Sequence, residues 1–139
     1  MALIDVKPRV FKNYLLTIEA DNYEKHVSAV TILPSASVQM WKGAAPGATF
    51  TDTTSATYTC QIDYAQDWET TNSLSLYLMN NEGDEVTMSF SPTGEATGPE
   101  FTLDVIITPG QIGGAIDSFG TASVTLGVQG KPVYTAPTP

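Results

Sequence analysis

One histidine and one cysteine are all that this 139-residue chain offers for imidazole or thiol chemistry. His26 lies between Lys25 and Val27, where a strand is about to begin. Any histidine-dependent triad would have to use it, and a strand-end surface residue is the plainer reading. Cys60 sits on the apolar face of a predicted strand, beside Thr59 and Gln61. A reactive thiol needs an adjacent base or cation, and neither neighbour supplies one. The expectation is a small buried hydrophobe. A multi-histidine or cysteine-rich metal site is excluded by count, while carboxylate-only sites stay open. Asn80-Asn81-Glu82-Gly83-Asp84-Glu85 places oxygen ligands around a glycine, as calcium prefers. It lacks the loop spacing of an EF-hand, so helix termination into a solvated hairpin is expected. Gly110-Gln111-Ile112-Gly113-Gly114 follows Pro109 and carries no lysine, so it is not a phosphate loop. Paired carboxylates for glycoside hydrolysis are defined by spatial separation, and no local feature singles out a pair. Trp41 and Trp68 have the flat faces of a sugar-stacking platform, but packing in a core or interface is the stronger expectation. No cofactor is expected.

The elements that would carry these residues are mostly strands. From Ala56 to Tyr64 one face reads Ala56, Tyr58, Cys60, Ile62, Tyr64, and the other Thr57, Thr59, Gln61, Asp63. Successive strand residues point to opposite faces, so this segment is apolar on one side and wet on the other. Ala122, Val124, Leu126 and Val128 alternate in the same way with Ser123, Thr125 and Gly127. Further strands are predicted over Tyr14 to Ala20, His26 to Leu33 (stopped by Pro34), Glu85 to Phe90, Phe101 to Ile107 and Thr121 to Val128. Ser35 to Lys42 continues the second strand after a break. Gly43 to Ser55 reads as a long loop with Phe50 its one large apolar residue, making an extended hairpin with a long tip. Between Ser73 and Asn81 the period changes. Thr71, Asn72 and Ser73 are good N-cap types, and Gly83 suits a left-handed C-terminal turn. A short helix is predicted there, although its first half alternates Ser and Leu as a strand would. The fold class is mainly β: a β-sandwich or partly closed barrel with one flanking helix. Residues 1–12 and 131–139 read as arms flanking a domain over 13–130.

Composition narrows the partners. Six basic residues face 15 acidic ones, a formal charge of −9. Such a surface repels nucleic-acid phosphates and anionic membranes alike. One cysteine forms no internal disulfide, so the fold needs no oxidising compartment. The first residues lack a signal peptide's apolar segment, and no run approaches the roughly 18 apolar residues of a membrane span. Synthesis in a cytoplasm is the expectation.

The order of the pieces carries more than any single residue. A long hairpin ends at Tyr64; Trp68, the Ser73-Leu74 helix start, a strand near Glu85 to Pro92 and the Ile106 to Gly114 connection follow. The closing strand leads to Gly130-Lys131-Pro132. This order resembles the tail tube (major tail) proteins of long-tailed, non-contractile bacteriophages, from Ala56 to Pro132. The resemblance implies a structural virion protein with no enzymatic role. It implies hexameric rings stacked into a tube through which DNA passes as non-specific cargo. Its partners would be other copies of itself, a tape-measure protein and tail-end proteins, with no membrane. The residues expected to face the lumen are Gln61, Asp63, Glu85 and Asp104, with an ordinary solvated strand face as the alternative. Those expected in a ring-stacking loop are Trp41, Phe50 and Asp52. The alternatives are another virion sandwich, such as a head decoration or tail terminator protein, and an immunoglobulin-like binding module with Trp41, Trp68 and Tyr residues as its ligand surface.

Overall fold

A computed structural model describes residues 2–137. Among the described residues nine strands and one helix are formed: β1 (Leu15–Ile18), β2 (Asp21–Asn22), β3 (Val27–Ser35), β4 (Val38–Lys42), β5 (Thr49–Thr53), β6 (Thr57–Ala65), α1 (Leu74–Asn80), β7 (Glu85–Ser91), β8 (Glu100–Ile106) and β9 (Thr121–Thr135). Seven strands build one antiparallel sheet in the order β2-β1-β7-β8-β9-β6-β3, and β4 and β5 pair separately as a ribbon. The mainly β, sandwich-like class expected from the alternation is what forms.

The sheet curls over its own apolar face. β6 and β7 are three places apart in the sheet, which would separate them by about 14 Å if it were flat. Instead the Cys60 thiol reaches the Met88 sulfur at 3.9 Å. Leu16 and Ile18, Cys60 and Ile62, Met88, Leu103 and Val105, and Val124 and Leu126 meet in one buried cluster. Each apolar side chain removed from water there contributes about 1.5–3 kcal/mol. The sheet does not close. β3 and β2 remain its edges.

The helix forms where the period changes. The Ser73 hydroxyl accepts from the Leu76 amide at 3.4 Å and donates to the Asp67 carbonyl at 2.5 Å, fixing the helix start to the end of β6. Leu74 and Leu78 are fully buried against the sheet. Burial of the 3.6-period pair, rather than of alternate residues, decides between helix and strand here. Gly83 adopts the expected positive φ of 86°. Its amide bonds the Ile107 carbonyl at 2.9 Å, which joins the helix exit to the end of β8.

Three strand limits differ from expectation. β3 runs through Pro34, opposite Tyr58, to Ser35 opposite Thr57. Proline is tolerated because β3 is an edge strand and needs no donor on its open side. The predicted loop over Gly43 to Ser55 contains β5. Thr49–Thr53 pairs with Val38–Lys42, setting Phe50 opposite Trp41 and Asp52 opposite Gln39. Only Gly43 to Ala48 turns, closed by the Gly43 amide on the Ala48 carbonyl at 2.6 Å. β9 continues past Val128 to Thr135, pairing Val133 with Thr102 and Tyr134 with Phe101 after a bulge. The segment expected as a C-terminal arm is therefore sheet as far as Thr135; the expected arm's Thr138 and Pro139 lie outside the described residues. Ala2–Lys12 has no regular secondary structure, and Met1 of that expected arm also lies outside the described residues.

Candidate assembly surfaces

The groups that sequence reasoning weighed for chemistry are placed as packing groups. Burial pushes the Cys60 thiol up to about 12, so it stays protonated in the core. The half-buried His26 ring sits edge-on to Tyr23 with centroids 5.5 Å apart, and its carbonyl accepts from the Ala65 amide. Tyr23, which sequence reasoning did not single out, is buried with an unpartnered hydroxyl. Burial, with Asp21 and Tyr77 nearby, moves that hydroxyl up to about 12. The Asn80 to Glu85 run ends the helix as expected: Asn81 Nδ2 donates to the Tyr77 carbonyl at 2.9 Å. Among the described residues, no three carboxylate, thiol or imidazole groups come together to hold a metal ion.

Trp41 and Trp68 do not share a platform. Trp68 follows the last residue of β6, and its Nε1 donates to Gln66 Oε1 at 3.2 Å. Trp41 lies on the ribbon that precedes the first residue of β6. The two indoles occupy opposite ends of that strand.

Two surfaces remain. The first is the outer face of the seven-stranded sheet. Gln61 and Asp63 alternate with buried Cys60 and Ile62, Asp104 lies between buried Leu103 and Val105, and Glu85 precedes buried Val86. All four candidate lumen residues therefore share one face. Thr87 Oγ1 donates to Asp104 Oδ1 at 3.0 Å, and Gln61 Nε2 to Ser123 Oγ at 3.4 Å. Between them stand Thr59, Ser89, Thr102 and Thr125. Within the strands β1, β2, β3, β6, β7 and β8, and along β9 as far as Gln129, no lysine or arginine occurs. This face is largely polar, with Leu33 opposite Thr59, Ile106 opposite Glu85 and Val133 opposite Thr102 as apolar members, and as far as Gln129 along β9 its only charges are negative.

The second surface is apolar and scattered over projections. On the ribbon every residue of β4 and β5 is exposed. Trp41 and Phe50 stack loosely there, 6.0 Å apart, with Val38 and Met40 also in water. Leu3, Ile4, Val6 and Val10 project from the segment before β1. Ile112, Ile116 and Phe119 project from the glycine-rich connection between β8 and β9. Sequence reasoning missed this last group, because it treated the connection as a phosphate-loop question. The hydrophobic letters among glycines were the available signal. Asp52, the third residue expected in the stacking loop, caps its own strand end by accepting from the Thr53 amide at 2.8 Å.

The fold itself is shared with a known assembly. A chain in the six-fold symmetrised cryo-EM structure of the anti-feeding prophage baseplate superposes with a TM-score of 0.60. The match covers 95% of this chain and 98% of that one at 10% sequence identity, and shows a common fold. No family model matches the sequence, and no curated protein does. Among the described residues, no helix is long and apolar enough to cross a membrane.

Proposed function

We propose that this chain is a structural subunit of a phage-type tail that assembles into six-membered rings and stacks them into a tube. The observation that carries the reading is the pairing of two incompatible surfaces on one sheet. Its outer face is a broad, largely polar wall, free of lysine and arginine as far as Gln129 on β9, while its projections expose aromatic and aliphatic side chains. The wall suits a lumen. Asp63, Glu85 and Asp104 repel phosphate near the surface, within a Debye length of about 8 Å at physiological salt, so DNA passes without being trapped. The projections suit contacts between copies. Edge strands β3 and β2–β1 lie open for lateral pairing, which would remove the aggregation hazard of a free edge. The baseplate chain of the same fold sits in a six-fold assembly, which supports the ring and the virion tail as its setting. The ribbon with Trp41, Phe50 and Asp52 is then a contact between rings, and tape-measure and tail-end proteins are the further partners. A structural rather than catalytic role accords with a thiol and an imidazole both engaged in packing.

The baseplate likeness favours one second reading: a single tail-end ring that does not stack. Light scattering coupled to size exclusion, with negative-stain imaging of the same concentrated sample, separates the two. Hollow tubes support the tube subunit, single rings the tail-end ring. A strict monomer at every concentration counts against both.

A further inference from the structure

The glycine-rich connection between β8 and β9 is held as a built feature. Gln66, just past β6, spans its base. Gln66 Nε2 donates to the Gly113 and Thr121 carbonyls, each at 2.9 Å, and Oε1 accepts from the Gly113 amide at 2.9 Å. The Gln66 amide itself donates to the Gly120 carbonyl at 2.8 Å. Gly110 passes so close to the Tyr64 hydroxyl that a Cβ there would overlap it. Beyond this clamp, Asp117 takes a left-handed φ of 67° and Ser118 Oγ donates to the Ala115 carbonyl at 3.0 Å. The result is a turned knob with Ile116 and Phe119 more than nine-tenths exposed.

The other end of the sandwich holds a matching hollow. Ile32, Tyr58, Phe90, Phe101 and Tyr134 line an apolar groove of about 460 Å³, with Phe11 at one side and Lys131 on its rim. It lies where β6 begins and β9 finishes, whereas the knob lies where β6 finishes and β9 begins. The nine residues of β6 therefore separate knob and groove by about 25–30 Å. The knob's own charge is opposite to the groove's. The knob carries Asp117, its base is flanked by Asp67 and Glu69, and Glu82 and Asp84 border the point where the connection leaves β8. Among the described residues, Lys131 is the one charged residue lining the groove, and the end around it is mixed: Arg9 and Lys12 lie beside the β7–β8 turn with Glu95, and Glu100 opens β8.

We propose that the knob of one copy, Ile116 to Phe119, seats in the groove of a second copy, with Asp117 facing Lys131. A knob and a groove at opposite ends make a heterologous contact that propagates head to tail. The opposite charges of Asp117 on the knob and Lys131 at the groove orient the contact. This rests on the tube reading above and names a second contact, beside the ribbon, that would join one ring to the next.

The test uses the intact chain and scores ring formation and stack length separately, by sedimentation and negative stain. Ile116→Asp with Phe119→Asp is expected to leave rings intact and to weaken stacking at least about tenfold, as loss of an aromatic anchor does. Lys131→Glu is expected to weaken it less, and Lys131→Glu with Asp117→Lys to recover it. Both sites are exposed, and thermal unfolding at the wild-type temperature verifies that the fold is kept. Stacking that survives the double aspartate variant overturns the inference and leaves the tube reading standing. A wild-type chain that makes no stacks at all overturns both.

Discussion

The β3–β6 pair and the β4–β5 ribbon belong to one continuous hairpin, yet they obey opposite rules. Both alternate, and both are antiparallel ladders, the ribbon paired residue for residue and β3–β6 with one irregularity between Val27 and Ala29. In β6 alternation sorts side chains into a core face and a wet face. On the ribbon it sorts nothing, because both faces meet water. The difference lies in what is stacked beneath. β6 has β7 across the core, while the ribbon has neither a third strand nor a helix to bury its aromatics. An isolated two-stranded hairpin is marginal in water. A ribbon that keeps Trp41 and Phe50 exposed is therefore a part awaiting a partner, whereas the β3–β6 half is a part already finished.

Charge insertion breaks this comparison most severely. Ile62→Asp or Leu126→Asp would bury an unpaired carboxylate among fully enclosed side chains and is expected to cost several kcal/mol, roughly 3–5. The check is loss of soluble, cooperatively melting protein. Trp41→Asp, on the ribbon half of the same hairpin, is expected to leave the melting temperature unchanged. A large destabilisation there would mean that the ribbon is part of the core.

Excising the ribbon sharpens the contrast from the other side. Joining Ser37 to Thr54 removes β4 and β5 together and leaves the β3–β6 ladder whole; these two residues already bond, Thr54 amide to Ser37 carbonyl, at 2.9 Å. Stability is expected to change by less than about 1 kcal/mol, the scale of a surface change, while assembly into stacks is lost. A deletion confined to Gly43 to Ser55 would strand β4 without its partner and confuse the two effects.

Smaller effects are expected at the helix, which covers the finished half. Ser73→Ala removes the cap of α1 and its tie to Asp67, at about 1 kcal/mol, readable as a lowered urea midpoint. The same segment gives a pH signature. Bonds from Thr70 and from the Glu69 amide, aided by His26, hold the Asp67 carboxyl below its ordinary value of 3.8. A carboxyl lowered by folding contributes stability above the unfolded value, and that contribution is lost as the pH falls through the folded one. Asp67→Asn is expected to flatten the acid limb of a stability–pH curve below about pH 4. An unchanged acid limb would show that the turn at Asp67 contributes nothing to folding.

Residue order by itself determined the strands of the core and the polar face opposite them. Period-two patterning in the Ala56 to Tyr64 and Ala122 to Val128 segments names its buried side without any partner strand, because side-chain direction along a strand is a local property. The helix start at Ser73 was legible for the same reason, since a cap is a bond between residues three apart. Local too was the lack of lysine and arginine in the core strands as far as Gln129.

Contacts between distant segments decided the rest. Nothing near Thr49 announces that it pairs with Lys42, so β5 read as loop until Trp41 and Phe50 stood opposite each other. The extension of β9 to Thr135 depends on β8 offering Glu100 to Thr102 as an edge. Placement of Trp41 and Trp68 at opposite ends of β6, and of Gln66 across the base of the β8–β9 connection, follows from how the sheet curls. Sequence spacing cannot encode that curl, because it is set by which apolar faces meet across the core.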